Sequence, residues 1–134
     1  MKKNVLLLLL ATVSCLAVLG CSGNGIKTQK TFGTVMCAGE PAVNATVTFS
    51  PEADNATGQM AMATTDAEGK FNMRIVSGAG VPVGKYKVTV TPAGYGGPLQ
   101  AEFSWSKKYC EVNATDLTVD IVEGENNLDL QLSK

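Results

Sequence analysis

The side chains best suited to chemistry are four cysteines, in a chain of 134 residues that contains no histidine. A nucleophilic cysteine is usually activated by a neighbouring base such as histidine, so the composition argues against a catalytic thiol. Aspartate and glutamate are present but scattered. Asp66 and Glu68, beside Gly69, supply only two carboxylates, whereas Ca²⁺ takes about 6–8 oxygen ligands, so a hairpin turn is the better interpretation. The sequence therefore predicts no catalytic residues, no metal site and no cofactor.

The N-terminal segment has the pattern of a secretory signal. Lys2 and Lys3 give it a positive start, and an apolar run follows over residues 5–19. This run is shorter than the roughly 20 residues that span a bilayer and suits the hydrophobic region of a signal peptide, which we predict over residues 1–20. Removing these two lysines from the 11 basic residues leaves a net charge of about −3 against 12 acidic residues, which argues against nucleic acid as a partner.

The tetrad Val18-Leu19-Gly20-Cys21 resembles the lipobox of bacterial lipoproteins, with a small residue before the cleavage site. The resemblance implies cleavage before Cys21, a diacylglycerol on its sulfur and palmitate-type acylation of the new amino group. Several acyl chains would anchor the protein stably in a membrane. Cys15 is a competing acceptor, but the processed chain would then begin inside the hydrophobic stretch. The polar residues after Cys21 predict a flexible tether over 21–30, and an uncleaved membrane anchor is the remaining alternative.

Cys37 and Cys110 are the two thiols that remain after processing and lipidation. An exported protein with two cysteines favours an intramolecular disulfide. The long loop that this bond would close is worth about 4 kcal/mol in the chain-entropy model. Two buried free thiols or an intermolecular bond are the alternatives that stay open.

The segment from Ala93 to Thr115 is the longest connection between candidate strands, and loops beyond about 12–15 residues are uncommon in compact domains. It carries four aromatic side chains, Tyr95, Phe103, Trp105 and Tyr109. Such rings could form a binding surface for a sugar or a partner. They could instead cover one end of the domain, with residues 102–105 as an edge strand. The second interpretation is favoured.

From Thr31 onward the apolar residues alternate with polar ones, as in half-buried strands. The alternation is clearest around Phe71-Met73-Ile75, Tyr86-Val88-Val90 and Leu128-Leu130-Leu132. Turn residues, each group containing a glycine, separate the segments. We therefore predict a seven-stranded antiparallel β-sandwich, with strands at Thr31–Cys37, Ala45–Ser50, Met60–Thr65, Lys70–Val76, Lys85–Thr91, Asp116–Val122 and Asn127–Leu132.

Three motifs in this order carry a family resemblance. Residues 33–51 contain a strand, a Gly-x-Pro turn and an Ala-x-Val-x-Phe strand, residues 64–71 read Thr-Thr-Asp-Ala-Glu-Gly-Lys-Phe, and residues 83–88 read Val-Gly-Lys-Tyr-Lys-Val. This layout resembles carboxypeptidase-regulatory-like domains and is shared by small planctomycete-type lipoproteins. The resemblance covers residues 31–132 and implies a transthyretin-like (prealbumin) sandwich in a family of mostly non-catalytic accessory or adhesive domains.

These observations lead us to expect a lipid-anchored envelope protein whose domain, residues 31–134, is a non-catalytic interaction module. Its expected partners are the membrane, through the lipid, and another envelope protein or a glycan. The alternative is a carbohydrate- or peptide-binding module that uses the loop at 93–115. Ser22, rather than aspartate, follows Cys21. By the sorting rule of enterobacterial lipoproteins, this residue points to the outer membrane, with the domain facing the periplasm or the exterior.

Overall fold

The computed structural model describes residues 25–134. The predicted signal peptide at 1–20 and the predicted lipidation site Cys21 lie outside the described residues. Within them the chain is an all-β sandwich of two sheets, with one short 3₁₀ helix at Lys107–Cys110.

Ten strands follow one another along the chain. They are β1 (Thr31–Cys37), β2 (Glu40–Pro41), β3 (Thr46–Pro51), β4 (Ala61–Thr64), β5 (Lys70–Asn72), β6 (Arg74–Ile75), β7 (Gly78–Ala79), β8 (Gly84–Thr91), β9 (Thr118–Ile121) and β10 (Asn126–Leu132).

The smaller sheet is built around β1. Strand β10 lies along one edge of β1 in parallel, while β2 and β5 pair antiparallel with the other edge. The larger sheet has the order β7-β6-β4-β3-β8-β9, and all of its neighbours are antiparallel. The two sheets enclose a single core.

The predicted sandwich is confirmed, and its strand count and pairing differ in detail. The predicted strand at 70–76 is divided at Met73 into β5, which pairs with β1, and β6, which pairs with β4. The same segment thus contributes to both sheets. The two-residue strands β2 and β7 are additional, and the β1–β10 pair is parallel where the sequence predicted antiparallel strands throughout.

Side-chain alternation places the predicted apolar faces in the core. Tyr86, Val88 and Val90 are fully buried in β8, and Leu130 and Leu132 are buried in β10. Their neighbours along the strands, such as Lys85 and Gln131, are exposed, because successive strand residues project to opposite faces.

The sandwich has two ends with different compositions. We call the end where the described chain begins the base, formed by residues 25–30, 52–60, 76–83 and 122–125. The opposite end, the loop end, is formed by residues 38–45, 65–69 and 92–112. Strand β8 runs from Gly84, paired with Ile121 near the base, to Thr91, paired with Thr46 near the loop end. Its eight residues separate the two ends by roughly 26 Å.

The chain is fixed to the sandwich before β1 begins. Gln29 forms a two-way backbone bridge with Val81, at 2.8 and 3.0 Å, and its side-chain oxygen accepts a hydrogen bond from the amide of Gly124 at 2.8 Å. The hydroxyl of Thr28 donates to the carbonyl of Ala79 at 2.8 Å. The sequence assigned residues 28–30 to the tether, but these hydrogen bonds attach Thr28 and Gln29 to the domain.

Close contact between β1 and β10 requires a glycine at position 33. Gly33 is the register partner of Leu128. A Cβ atom built on Gly33 would overlap the carbonyl oxygen and carbon of Leu128. Because these are backbone atoms, no side-chain rotation could relieve the overlap.

Leu130→Ala tests the side-chain alternation of β10. Leu130 lies in the core, so its truncation should lower the free energy of unfolding by about 2–5 kcal/mol. The adjacent exposed residue provides the control, since Gln131→Ala should change that free energy by no more than about 0.5 kcal/mol. Equal effects in urea denaturation would contradict the assigned faces.

Gly33→Ala tests the β1–β10 contact. The added methyl group should force the two backbones apart and destabilise the domain by about 1–3 kcal/mol, as overpacking does. Gly78→Ala is the matched control, because a Cβ at Gly78 in β7 meets no atom within 4 Å. Thermal unfolding of both variants provides the comparison, and an unchanged melting temperature for Gly33→Ala would show that the strands are not this close.

Candidate interaction surface

The connection between β8 and β9 covers the loop end of the sandwich. It contains the 3₁₀ helix Lys107–Cys110. A backbone hydrogen bond from Ala101 to the carbonyl of Ala93, at 2.8 Å, closes its first part, and the amide of Ser106 donates to the carbonyl of Ser133 at 2.8 Å. Residues 102–105 form no strand, so the edge-strand alternative is wrong. The segment is held by side chains instead.

Trp105 anchors this connection to the core. Its side chain is only 8% exposed, and its indole nitrogen donates to the carbonyl of Val90 at 3.0 Å. The ring of Phe103 packs against it at a tilt, with centroids 5.1 Å apart. A buried indole N–H normally has an acceptor, and here the acceptor is the backbone of β8.

Tyr109 makes the second attachment. Its hydroxyl lies 3.0 Å from the hydroxyl of Ser133 and accepts a hydrogen bond from the Ser133 amide at 3.2 Å. These hydrogen bonds, with Ser133 Oγ contributing most, lower the pKa of Tyr109.

The ammonium of Lys108 lies 4.8 Å from the centre of the Tyr109 ring and 2.8 Å from a carboxylate oxygen of Asp116. This ion pair lowers the pKa of Asp116 and raises that of Lys108.

The other two predicted aromatic residues keep access to solvent. Tyr95 is 39% exposed, and Phe103 is half-buried. Phe103 lines an open cleft of about 400 Å³ formed by residues 41–43 and 102–105. Tyr95 does not line this cleft. The four rings therefore do not form one exposed platform: Trp105 and Tyr109 serve packing, and the cleft at Phe103 is what remains available to a ligand.

Cys37 and Cys110 are both buried free thiols, and the structure shows no disulfide between them. Cys37 packs in the core at the end of β1. The thiol of Cys110 lies 3.4 Å from the carbonyl of Val90, to which it donates. Burial raises the pKa of Cys110, which keeps this thiol protonated and unreactive. The alternative of two buried free thiols is therefore the one that the structure has.

The turn at Asp66 joins β4 of the larger sheet to β5 of the smaller sheet, and the carboxylate of Asp66 caps its backbone. One oxygen of Asp66 accepts hydrogen bonds from the amides of Lys70 and Glu68, each at 2.9 Å. These bonds lower the pKa of Asp66, that from Lys70 contributing most. Gly69 has φ of +77°, and a Cβ there would lie 2.6 Å from the carbonyl oxygen of Val35. Both features account for the Asp-x-x-Gly spacing without a bound ion.

A cavity at the base was not predicted from the sequence. Ile26, Pro82 and Val83 line it together with residues 56–59, and its volume is about 610 Å³. The one signal in the sequence is Ile26, an isolated isoleucine in the polar segment predicted as the tether.

Within residues 25–134, no group of three or more cysteine, aspartate or glutamate side chains is arranged to hold a metal ion. No helix in this part of the chain has the length and apolar character needed to span a membrane. Comparison of the sequence with protein-family models and curated proteins, and of the fold with solved structures, found no match.

Trp105→Phe tests whether this ring has a structural role. The substitution keeps an aromatic ring but removes the hydrogen bond to Val90, so the domain should lose about 1–3 kcal/mol of unfolding free energy. Leu99→Ala is the control within the same connection, because Leu99 is 90% exposed and its loss should cost no more than about 0.5 kcal/mol. Chemical denaturation measures the unfolding free energy of both variants. An unchanged unfolding free energy for Trp105→Phe would show that the hydrogen bond to Val90 does not stabilise the domain and would leave Trp105 free for another role.

Proposed function

We propose that the chain is a lipid-anchored protein of the bacterial cell envelope whose β-sandwich is a non-catalytic interaction module. The observation that carries the proposal is the separation of the two ends. The described chain begins at the base, where Gln29 is bridged to Val81, whereas the connection between β8 and β9 lies at the loop end. A lipid on Cys21 would therefore leave the loop end facing away from the membrane.

The lipobox-like tetrad before Cys21 supports the anchor, and the serine after it favours the outer membrane. The motifs that resemble carboxypeptidase-regulatory-like domains support an accessory module of that type. The Asp66 turn and the strand at Gly84–Thr91 occur where those motifs predict a turn and a strand.

The ion pairs of the described residues lie on the surface of the sandwich. Charged side chains that contact one another form isolated exposed pairs: Lys27–Glu123 and Lys30–Glu125 near the base, Lys70–Glu68 and Lys108–Asp116 toward the loop end. Catalytic acids and bases converge on one cleft with displaced pKa values. Each of these pairs is instead a separate surface contact, which contributes little to stability.

A carbohydrate or peptide ligand at the loop end is the second candidate. The half-buried Phe103 lines the cleft together with Glu102 and Ser104. An aromatic face beside polar groups is the combination that small-ligand sites use. Screening of residues 23–134 on glycan arrays and in envelope pull-downs would test this role. Binding should be lost with Phe103→Ala and kept with Leu99→Ala. Equal binding by both variants would place the ligand elsewhere.

Cys21→Ser tests the anchor. We expect this variant to accumulate as an unprocessed precursor and to lose incorporation of a palmitate analogue in metabolic labelling, because serine offers no thiol for the diacylglycerol. Cys15→Ser is the matched control and should be labelled normally. Labelling that survives Cys21→Ser but disappears in Cys15→Ser would assign the lipid to the other cysteine.

A further inference from the structure

An open cavity lies at the base beside the first described residues. Ile26, Pro82 and Val83 supply its apolar surface, residues 56–59 form a wall, and Lys27 and Glu123 complete the lining. The cavity volume is about 610 Å³. The Gln29–Val81 bridge holds the incoming chain beside the segment that contains Pro82 and Val83.

Apolar side chains are exposed around this cavity. Ile26 is 44% exposed and Val83 is 39% exposed. Met60 and Val122, each next in sequence to a lining residue, are also exposed. Scattered exposed apolar residues are normal on protein surfaces, but Ile26 and Val83 line the same cavity and so place two exposed apolar side chains side by side.

The charges at the base are mixed in sign. Lys27 and Glu123 form an ion pair at 3.0 Å, and Lys30 and Glu125 form another at 3.3 Å. With Glu52 and Asp54 the base has two basic and four acidic side chains, a net charge of 2 − 4 = −2, so its contact with a membrane has to come from apolar side chains and not from attraction to anionic lipid. Both pairs are strongly exposed and could remain hydrated at the depth of the headgroups.

The length of the tether brings this surface to the bilayer. The chain from Cys21 to Ile26 reaches at most about 18 Å when fully extended. The headgroup region occupies roughly 5–7 Å on each side of the hydrocarbon. A lipid on Cys21 therefore keeps the base next to the membrane, whereas the loop end is roughly 26 Å further along β8.

We propose that the base is a membrane-docking surface: Ile26, Val83 and Met60 contact the lipid interface in which the acyl chains of Cys21 are inserted. The proposal rests on the proposed lipid anchor and adds an orientation to it. The base of the sandwich faces the membrane, and the cleft at Phe103 is directed away from it. Apolar side chains at such an interface insert between headgroups and acyl chains, which removes the exposed patch from water.

The experiment uses the full-length protein purified from membranes, with its acylation established by intact mass and by flotation with vesicles. Val83→Cys and Met60→Cys introduce labelling sites at the base, and Leu99→Cys introduces the control site at the loop end. A nitrobenzoxadiazole fluorophore is attached to the folded proteins, in which Cys37 and Cys110 are buried. The vesicles contain phosphatidylethanolamine, phosphatidylglycerol and a phospholipid with a spin label near its headgroup.

We expect the spin-labelled lipid to quench the fluorophores at positions 83 and 60 several-fold more than the one at position 99. Adding Ile26→Asp to the position-60 variant should reduce its quenching several-fold while the protein still floats with vesicles. The matched change Leu99→Asp should leave that quenching unaltered. Far-UV circular dichroism and melting of each labelled variant confirm that it is folded.

The outcomes separate the docking surface from the anchor. Protein that is neither acylated nor carried by vesicles would overturn the anchor, and the docking surface with it. Acylated, floating protein with equal quenching at the base and the loop end would overturn the docking surface alone. The docking surface would also be overturned if the fluorophores at the base were protected from water only at protein densities at which two copies can be cross-linked. In that case a second copy of the protein, and not lipid, would cover the base.

Discussion

The backbone of β1 at Gly33 lies against the carbonyl of Leu128 in β10, closer than any side chain at that position would allow. This contact belongs to a parallel ladder of seven residue pairs, from Thr31–Asn126 to Cys37–Leu132. It joins the first and last strands of the sandwich and makes β1 an interior strand, with β2 and β5 on its other edge. The smaller sheet therefore has no other strand around which to form.

The direction of β1 in this ladder determines at which end of the sandwich the chain enters. Because β1 runs from the base toward the loop end, the residues that precede it emerge at the base. Gln29 fixes their path by its bridge to Val81 and its hydrogen bond from Gly124. The chain therefore enters the sandwich at the base, whereas the connection between β8 and β9 covers the loop end, and the orientation proposed above follows from this difference between the two ends.

Much of the fold could be predicted because strand periodicity is a local property. The β1 bounds are those predicted, and β8 and β10 differ from prediction by one residue at their starts. The parallel β1–β10 pair could not be predicted, because a strand pattern does not state which neighbour it pairs with. Nor could the division at Met73, where a continuous apolar alternation passes from one sheet to the other.

The candidate site was also predictable only in part, because its geometry depends on contacts between residues that are distant in sequence. The aromatic composition of residues 93–115 identified the segment that covers one end of the sandwich. Which rings are buried depends on acceptors that are distant in sequence: Val90 for Trp105, and Ser133 for Tyr109. The thiols of Cys37 and Cys110 suggested a disulfide by number and compartment, whereas their environments hold each one separately in the core.

The β1–β10 ladder is tested most directly by nuclear Overhauser spectroscopy on isotopically labelled residues 23–134. A parallel pair should give backbone proton contacts between Gly33 and Leu128 and between Val35 and Leu130. Contacts that instead join Thr31 with Leu132 and Cys37 with Asn126 would establish an antiparallel pair. That result would contradict the β1–β10 ladder and the assignment of the two ends that depends on it.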